Sequence, residues 1–289
     1  MKLVTFVHDG KEAAGILSED EKTVFDTGFG SMNDLIDACA EGEEGCVKAA
    51  LAIEKGEAFA AADVDILSPI PRPKQDVICL GINYTDHATE SASFNDDFAL
   101  ETKEKAIYFS KRVNLAPGHG MEIESHSDIE GQIDYEVELA VVIGKPARNV
   151  KREDAWDYIF GYTVLNDMSA REHQTGHKQW YFGKSMDDFT PIGPCIVTED
   201  EFERPPKRRI TSKVNGELRQ DSTTDMLIHG VAEIIEDLTS GITLLPGTII
   251  ATGTPSGVGM GMDPPNFMEP GDVVTCEIEG IGILENKLK

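Results

Sequence analysis

The segment Asp134-Tyr-Glu-Val-Glu-Leu-Ala-Val-Val-Ile143 sets the tightest limit on how this chain can fold. Residues two apart on a strand share a face. A strand over Tyr135–Ile143 therefore turns Glu136 and Glu138 to one side and Val137 and Leu139 to the other. The two carboxylates then stand about 7 Å apart, beside an apolar run that demands burial. Burying like charges is costly unless a cation neutralises them, and a divalent metal does so directly. Asp167, at the end of the next expected strand, Phe160–Asn166, offers a third oxygen ligand. Three carboxylates with positions left for water suit Mg2+ or Mn2+ better than zinc. A solvated edge strand with outward acids satisfies the same pattern, so the spacing alone leaves both arrangements open.

The rest of the chain is strand-rich. Residues 1–70 read as a small α+β unit: strands at Leu3–Val7, Ala13–Leu17 and Thr23–Phe25, then helices at Met32–Ala40 and Cys46–Lys55 broken by Gly42–Gly45. Pro69, Pro71 and Pro73 push the residues before them extended and mark a boundary, so 1–70 is expected as an accessory domain and 71–289 as the main one. Further strands are expected at Val77–Leu80, Ala106–Phe109, Tyr158–Asn166, Ile210–Val214, Thr248–Ala251 and Val273–Ile278, with a hairpin turn at Asn215-Gly216. One long helix is expected over Asp225–Thr239. Leu227, Val231, Ile234, Ile235 and Leu238 keep its 3.6-residue period, with Thr223 or Thr224 to cap it and Gly241 to end it. Helices are too few for a βαβ alternation, which favours an α+β, β-rich architecture with mixed or mainly antiparallel sheets.

Charge narrows the partners. With 52 acids against 26 basic residues the formal charge is −26, which repels nucleic acid and anionic membrane surfaces. Residues 1–70 hold 15 acids and 5 bases, the densest excess in the chain. The five cysteines are scattered and odd in number, so reduced buried thiols are expected rather than a disulfide scaffold. No signal peptide or spanning segment is apparent, and a soluble cytoplasmic protein is expected. A small acidic substrate would need positive charge supplied locally.

Several residues can carry chemistry. His87 and Glu90 are three apart; on one helical turn they meet, and the carboxylate fixes the tautomer of the imidazole and raises its basicity. A helix-surface ion pair has the same spacing. The polar stretch Ser91–Lys105 reads as a lid or an ordinary loop. Arg171, Gln174 and Lys184 follow Asp167, and a lysine there would meet negative charge as it develops on a substrate. Gly257-Val-Gly-Met-Gly261 is followed by Asp263-Pro-Pro rather than a helix, so it is no dinucleotide fingerprint. It reads instead as a tight loop whose amides, with the Thr254 hydroxyl, face a ligand oxyanion or simply make a turn. The polar run His119, Glu122, Glu124, His126 and Asp128 lacks regular ligand spacing and reads as a solvated hairpin, and Ser256 has no nucleophile-elbow context.

Taken together, GINYTDHATE at 81–90, DYEVELAVVIGK at 134–145, NDMSAREHQ at 166–174, FGKSMDDFTPIGP at 182–194 and GTPSGVGMG at 253–261 resemble the fumarylacetoacetate hydrolase family. The resemblance covers roughly 70–289. It implies a mixed β-roll with β-sandwich character, a small N-terminal domain and a homodimer. It also implies metal ligands at Glu136, Glu138 and Asp167 holding Mg2+ or Mn2+, a lid-borne pair at His87 and Glu90, an active-site lysine at Lys184, and substrate contacts at Gln174 and Thr254, with Arg171 beside them. The segment Ile107–Ala116 matches the family's aromatic-Phe-x-Lys pattern only in part, and Leu115 is bulky where the family is small or polar, which bears on pocket shape.

The expected activity is metal-dependent hydrolysis of a C–C bond in a small 2,4-diketo acid, of acylpyruvate or fumarylpyruvate type, giving pyruvate and a carboxylic acid. Decarboxylation of oxaloacetate and isomerisation of a hydroxymuconate-type dicarboxylate use related machinery. A metal-stabilised binding protein without turnover is the non-enzymatic alternative.

Overall fold

The computed structural model describes residues 1–92 and 105–289. The expected lid, Ser91–Lys105, therefore lies almost wholly outside the described residues. Two sheets dominate the fold. The larger has eleven strands, and its central members, in spatial order, are Lys2–His8, Ile192–Thr198, Ile159–Asn166, Val137–Ile143, Ile249–Ala251 and Val77–Gly81. The smaller has five, built on the hairpin Arg209–Val214 and Glu217–Thr223 and on Val273–Ile278 and Gly282–Leu288. The fold is thus α+β with large mixed sheets, antiparallel but for Ile249–Ala251 beside Val77–Gly81 and Gly282–Leu288 beside Glu122–Ile123.

Alternation builds the layers. Val137, Leu139, Val141 and Ile143 join Tyr162, Val164, Ile210, Val274 and Leu284 in the core between the two sheets. Ala140 and Val142 face the opposite way, into a second core with Leu165, Ile249, Leu35 and Ile36, the last two from the helix Met32–Glu41. All seven residues of Val137–Ile143 are buried, with a hydrogen-bonded strand on each side. The outward-facing edge strand is overturned, because this strand is central and both of its faces are covered.

Other expectations shift for local reasons. The site strand begins at Val137, not Tyr135, because Ile133–Asp134 pairs separately with Ser169–Ala170. The long helix runs over Val231–Gly241 behind Gly230, with no side-chain cap. Thr224 Oγ1 is instead engaged, donating to Pro206 O at 2.9 Å and accepting from Arg208 N at 3.0 Å. Ile228 N donates to Asn83 O at 2.8 Å, so the segment before Gly230 is held extended. The reading of all cysteines as reduced is also corrected. Cys79, Cys195 and Cys276 are buried thiols, but Cys39 and Cys46 form a disulfide. The chain reverses at Gly42, and Gly45 packs so tightly on the preceding helix that a Cβ would stand 2.2 Å from Ala38 O, which brings the two cysteine Cα atoms to 4.8 Å.

Residues 1–70 extend the main sheet. Lys2 and Leu3 pair with Val197 and Ile196, and the Lys11–Leu17, Thr23–Phe29 and Ala58–Ala60 strands continue outward from there. Among the described residues no helix is long and apolar enough to cross a membrane.

Candidate active site and metal centre

Strand register assembles the carboxylates. Val137 pairs with Asn166 in an antiparallel ladder, so one step outward Glu136 lies opposite Asp167, and Asp167 N donates to Glu136 O at 2.8 Å. Glu138, two residues on, shares their side. Ligand oxygens of Glu136, Glu138 and Asp167 all lie within 4.8 Å of one another, and the three side chains are buried.

Cations surround two of the three. Lys184 Nζ donates to Glu136 Oε2 at 2.7 Å and to Asp167 Oδ2 at 2.8 Å. Arg171 Nη1 lies 2.8 Å from Glu136 Oε1, and its Nε and Nη2 grip Asp134 Oδ2 at 2.9 and 2.8 Å. Lys111, wholly buried, is paired with the other oxygen of Asp167 and donates to Met168 O at 2.9 Å. Burial alone would raise the Glu136 carboxyl, but Lys184 and Arg171 outweigh it and hold the group down at about 2. Glu138 goes the other way. Burial first, and then the charges of Asp167 and Glu136, push it well above the usual carboxylate range, and Lys184 and the Gly253 amide, which donates to Oε2 at 2.7 Å, only partly offset them. The three side chains are an all-oxygen donor set, and a divalent cation would take the place of the proton that burial and its acidic neighbours favour on Glu138. These residues fit Mg2+ or Mn2+.

The strand Ile107–Lys111 floors the site. Alternation places Phe109 and Lys111 on one face, and Lys184 Nζ sits 5.3 Å above the Phe109 ring, whose edge meets Trp180 at 5.2 Å. Trp180 in turn requires Gly81, where a Cβ would stand 2.4 Å from its ring.

His87 and Glu90 lie on the helix Thr85–Ala92, with Nδ1 2.8 Å from Glu90 Oε2. His87 is buried and stands within electrostatic reach of Glu136. The exposed helix-surface pair that the spacing left open as an alternative does not describe His87, whose imidazole is buried.

Comparison with known proteins now decides the family. The model for "Fumarylacetoacetate (FAA) hydrolase C-terminal" matches residues 76–289. The chain belongs to the fumarylacetoacetate hydrolase family. Among its relatives is an oxaloacetate tautomerase, YisK of Bacillus subtilis (strain 168), 43% identical over 230 residues, which span 80% of this chain and 75% of the relative. The fumarylacetoacetate hydrolase of psychrophilic Exiguobacterium antarcticum is 36% identical with a TM-score of 0.85, over 100% of this chain and 99% of that one. A maleylpyruvate hydrolase from Sphingobium sp. SYK-6, solved with manganese(II) and pyruvate, is 28% identical with a TM-score of 0.77, over 100% and 98%. Family membership and geometry together make this a metal-associated member of the family, of the kind that acts on small diketo or dicarboxylic acids.

For this family member the structure brings Glu136, Glu138, Asp167, Lys184, Arg171, His87 and Glu90 to one place. Gln174 Oε1 accepts from Arg171 Nη1 at 2.9 Å, so it braces the arginine. The Thr254 hydroxyl donates to Val137 O at 2.9 Å and accepts from Gln220 Nε2 at 2.7 Å, tying its loop to the site strand. Two charged residues entered the sequence reading only as members of motifs, with no role at the site: Lys111 and Asp134. The period of Ile107, Phe109 and Lys111 held a signal for the first; nothing local marked the second, whose partners Arg171, Gly259 and Met260 are distant in the chain.

Proposed function

We propose that this protein moves a proton at the carbon next to the keto group of a small 2-keto dicarboxylate, interconverting the keto and enol forms of oxaloacetate. The observation that carries this reading is the buried His87 imidazole, held by the half-buried Glu90, within electrostatic reach of Glu136. Glu90 holds Nδ1 and fixes the tautomer, which leaves Nε2 to take the proton from one position and return it to another. The relative named as an oxaloacetate tautomerase supports the same reading. Glu136, Glu138 and Asp167 would hold a divalent cation, which would supply Lewis-acid charge toward the substrate's oxygens. Lys184, fixed by two carboxylates, adds positive charge where the enolate oxygen develops, and Arg171 keeps Glu136 ionised and aimed.

A second reading is hydrolysis of an acylpyruvate. The same imidazole would take a proton from water as the oxygen attacks the distal carbonyl, and the bond to the pyruvate methylene carbon would break. The likeness to a hydrolase solved with manganese(II) and pyruvate favours it.

Assays with oxaloacetate, acylpyruvates and a hydroxymuconate, on EDTA-treated and Mn2+-reloaded protein, separate the readings. The expected outcome is Mn2+-dependent keto–enol interconversion of oxaloacetate, reduced about 100-fold or more in His87→Ala. Acylpyruvate cleavage faster than that interconversion would put hydrolysis first. Interconversion that survives His87→Ala unchanged would remove His87 as the proton carrier.

A further inference from the structure

The glycine-rich loop at 252–261 does something other than face a ligand. Its first part is stitched to the site strand: Thr252 N and Oγ1 both donate to Leu139 O, at 3.1 and 2.9 Å, Gly253 N to Glu138 Oε2, and Thr254 Oγ1 to Val137 O. Its last part is pinned by Asp134, which accepts from Gly259 N at 2.7 Å and Met260 N at 2.9 Å. Between these anchors, Ser256 and Gly257 reach the other way, to the helix that carries His87. Ser256 Oγ donates to Asp86 Oδ2 at 3.1 Å, and Gly257 N donates to Glu90 Oε1 at 2.9 Å. Gly257 O accepts from the Tyr135 hydroxyl at 3.0 Å, so this part of the loop is also tied to the approach to the site strand.

Asp86 and Glu90 are four residues apart, one turn along the same face of the helix, and His87 lies between them. A helix held at one point can roll about it, whereas two attachments a turn apart fix the roll. Through His87 Nδ1 and Glu90 Oε2, that roll sets where the imidazole stands.

We propose that Ser256 is a positioning residue: with the Gly257 amide it latches the helix Thr85–Ala92 to the loop that holds Glu138 and Asp134, and so fixes His87 relative to the carboxylate cluster. The kinetic part rests on the proton-transfer reading above; the latch itself does not.

The test uses the full-length protein and the variants Ser256→Ala, Asp86→Ala, their double mutant and Ser256→Thr. Amide hydrogen exchange over residues 85–92 is measured first, without metal or substrate. Exchange is expected to rise several-fold in Ser256→Ala and in Asp86→Ala, no further in the double mutant, and to return to the wild-type rate in Ser256→Thr, which keeps the hydroxyl. With Mn2+ and oxaloacetate, kcat is expected to fall about tenfold in Ser256→Ala at nearly constant KM, with Ser256→Thr restoring it. Wild-type exchange in Ser256→Ala, or additive effects in the double mutant, would overturn the latch. Raised exchange in a protein that turns over none of the keto acids would uphold the latch and remove the oxaloacetate reading instead.

Discussion

Glu138 differs from its two partners in what surrounds it. Glu136 is met by Lys184 and Arg171, and Asp167 by Lys111 and Lys184. Glu138 accepts from the Gly253 amide and feels Lys184 through space, but burial and the repulsion of the other two acids outweigh both. A carboxyl whose pKa rises on folding binds its proton more tightly in the folded chain. Its favourable contribution is complete below the unfolded carboxyl value, near 4.5, and is lost as the pH climbs above it. Without metal, Glu138→Gln is therefore expected to be more stable than the wild type at neutral pH, by about 2 °C or more in thermal midpoint, with the gap narrowing toward pH 4.5. Adding Mn2+ should reverse the order, because the variant gives up a ligand and with it most of the metal's stabilisation. Melting curves with EDTA and with Mn2+ across that pH range test both signs. A variant no more stable than the wild type in EDTA would mean that Glu138 is neutralised by the protein alone.

The glycine-rich loop shows at the scale of one element how a tight turn is specified. A Cβ at Gly259 would stand 2.4 Å from the backbone oxygen of Asn266 and 2.8 Å from Asp134 Oδ1, neither of which can retreat. A Cβ at Gly261 would stand 2.4 Å from the carboxyl group of Glu90, the end of a flexible side chain. Gly259→Ala is expected to cost about 1–3 kcal/mol in urea unfolding. Gly261→Ala is expected to unfold like the wild type while losing activity, since it displaces Glu90 from His87. Equal stabilities for the two variants would show that the Asn266 segment yields. Sequence made part of this site legible. The alternation in Asp134–Ile143 put Glu136 and Glu138 on one side, and a three-residue spacing joined His87 to Glu90. It read the loop amides as facing a ligand or as a plain turn. Those of Gly253, Gly257, Gly259 and Met260 serve the protein's own carboxylates instead. Such pairings join residues more than a hundred positions apart, and no local pattern encodes them. The strand Ile192–Thr198 escaped for another reason: Gly193-Pro194 interrupts its apolar pattern. The helix start at Val231 was masked because Leu227 keeps the helical period although it bridges to Tyr84 instead.

For the whole molecule, a charge of −26 is a standing cost, because like charges drawn together on folding repel one another. Salt screens this, with a Debye length of about 10 Å at 0.1 M. Raising KCl or NaCl from about 0.05 to about 0.5 M is expected to increase the thermal midpoint by several degrees, with an uncharged osmolyte at matched osmolarity giving less. No gain from either salt would mean that ion pairs such as Arg209–Asp221 and Arg204–Glu199 already balance the surface. Inside, the same excess is turned to use. Lys111, Lys184 and Arg171 gather around the acids of the site and offset their charge there. The pairing of Lys2–His8 with Ile192–Thr198 has a consequence for how the chain is made. Asp65–Ile66 can cover Phe6 and Val7 early, but Lys2 and Leu3 must wait through nearly two hundred residues of synthesis for Val197 and Ile196. A stretch made early thus completes its pairing late.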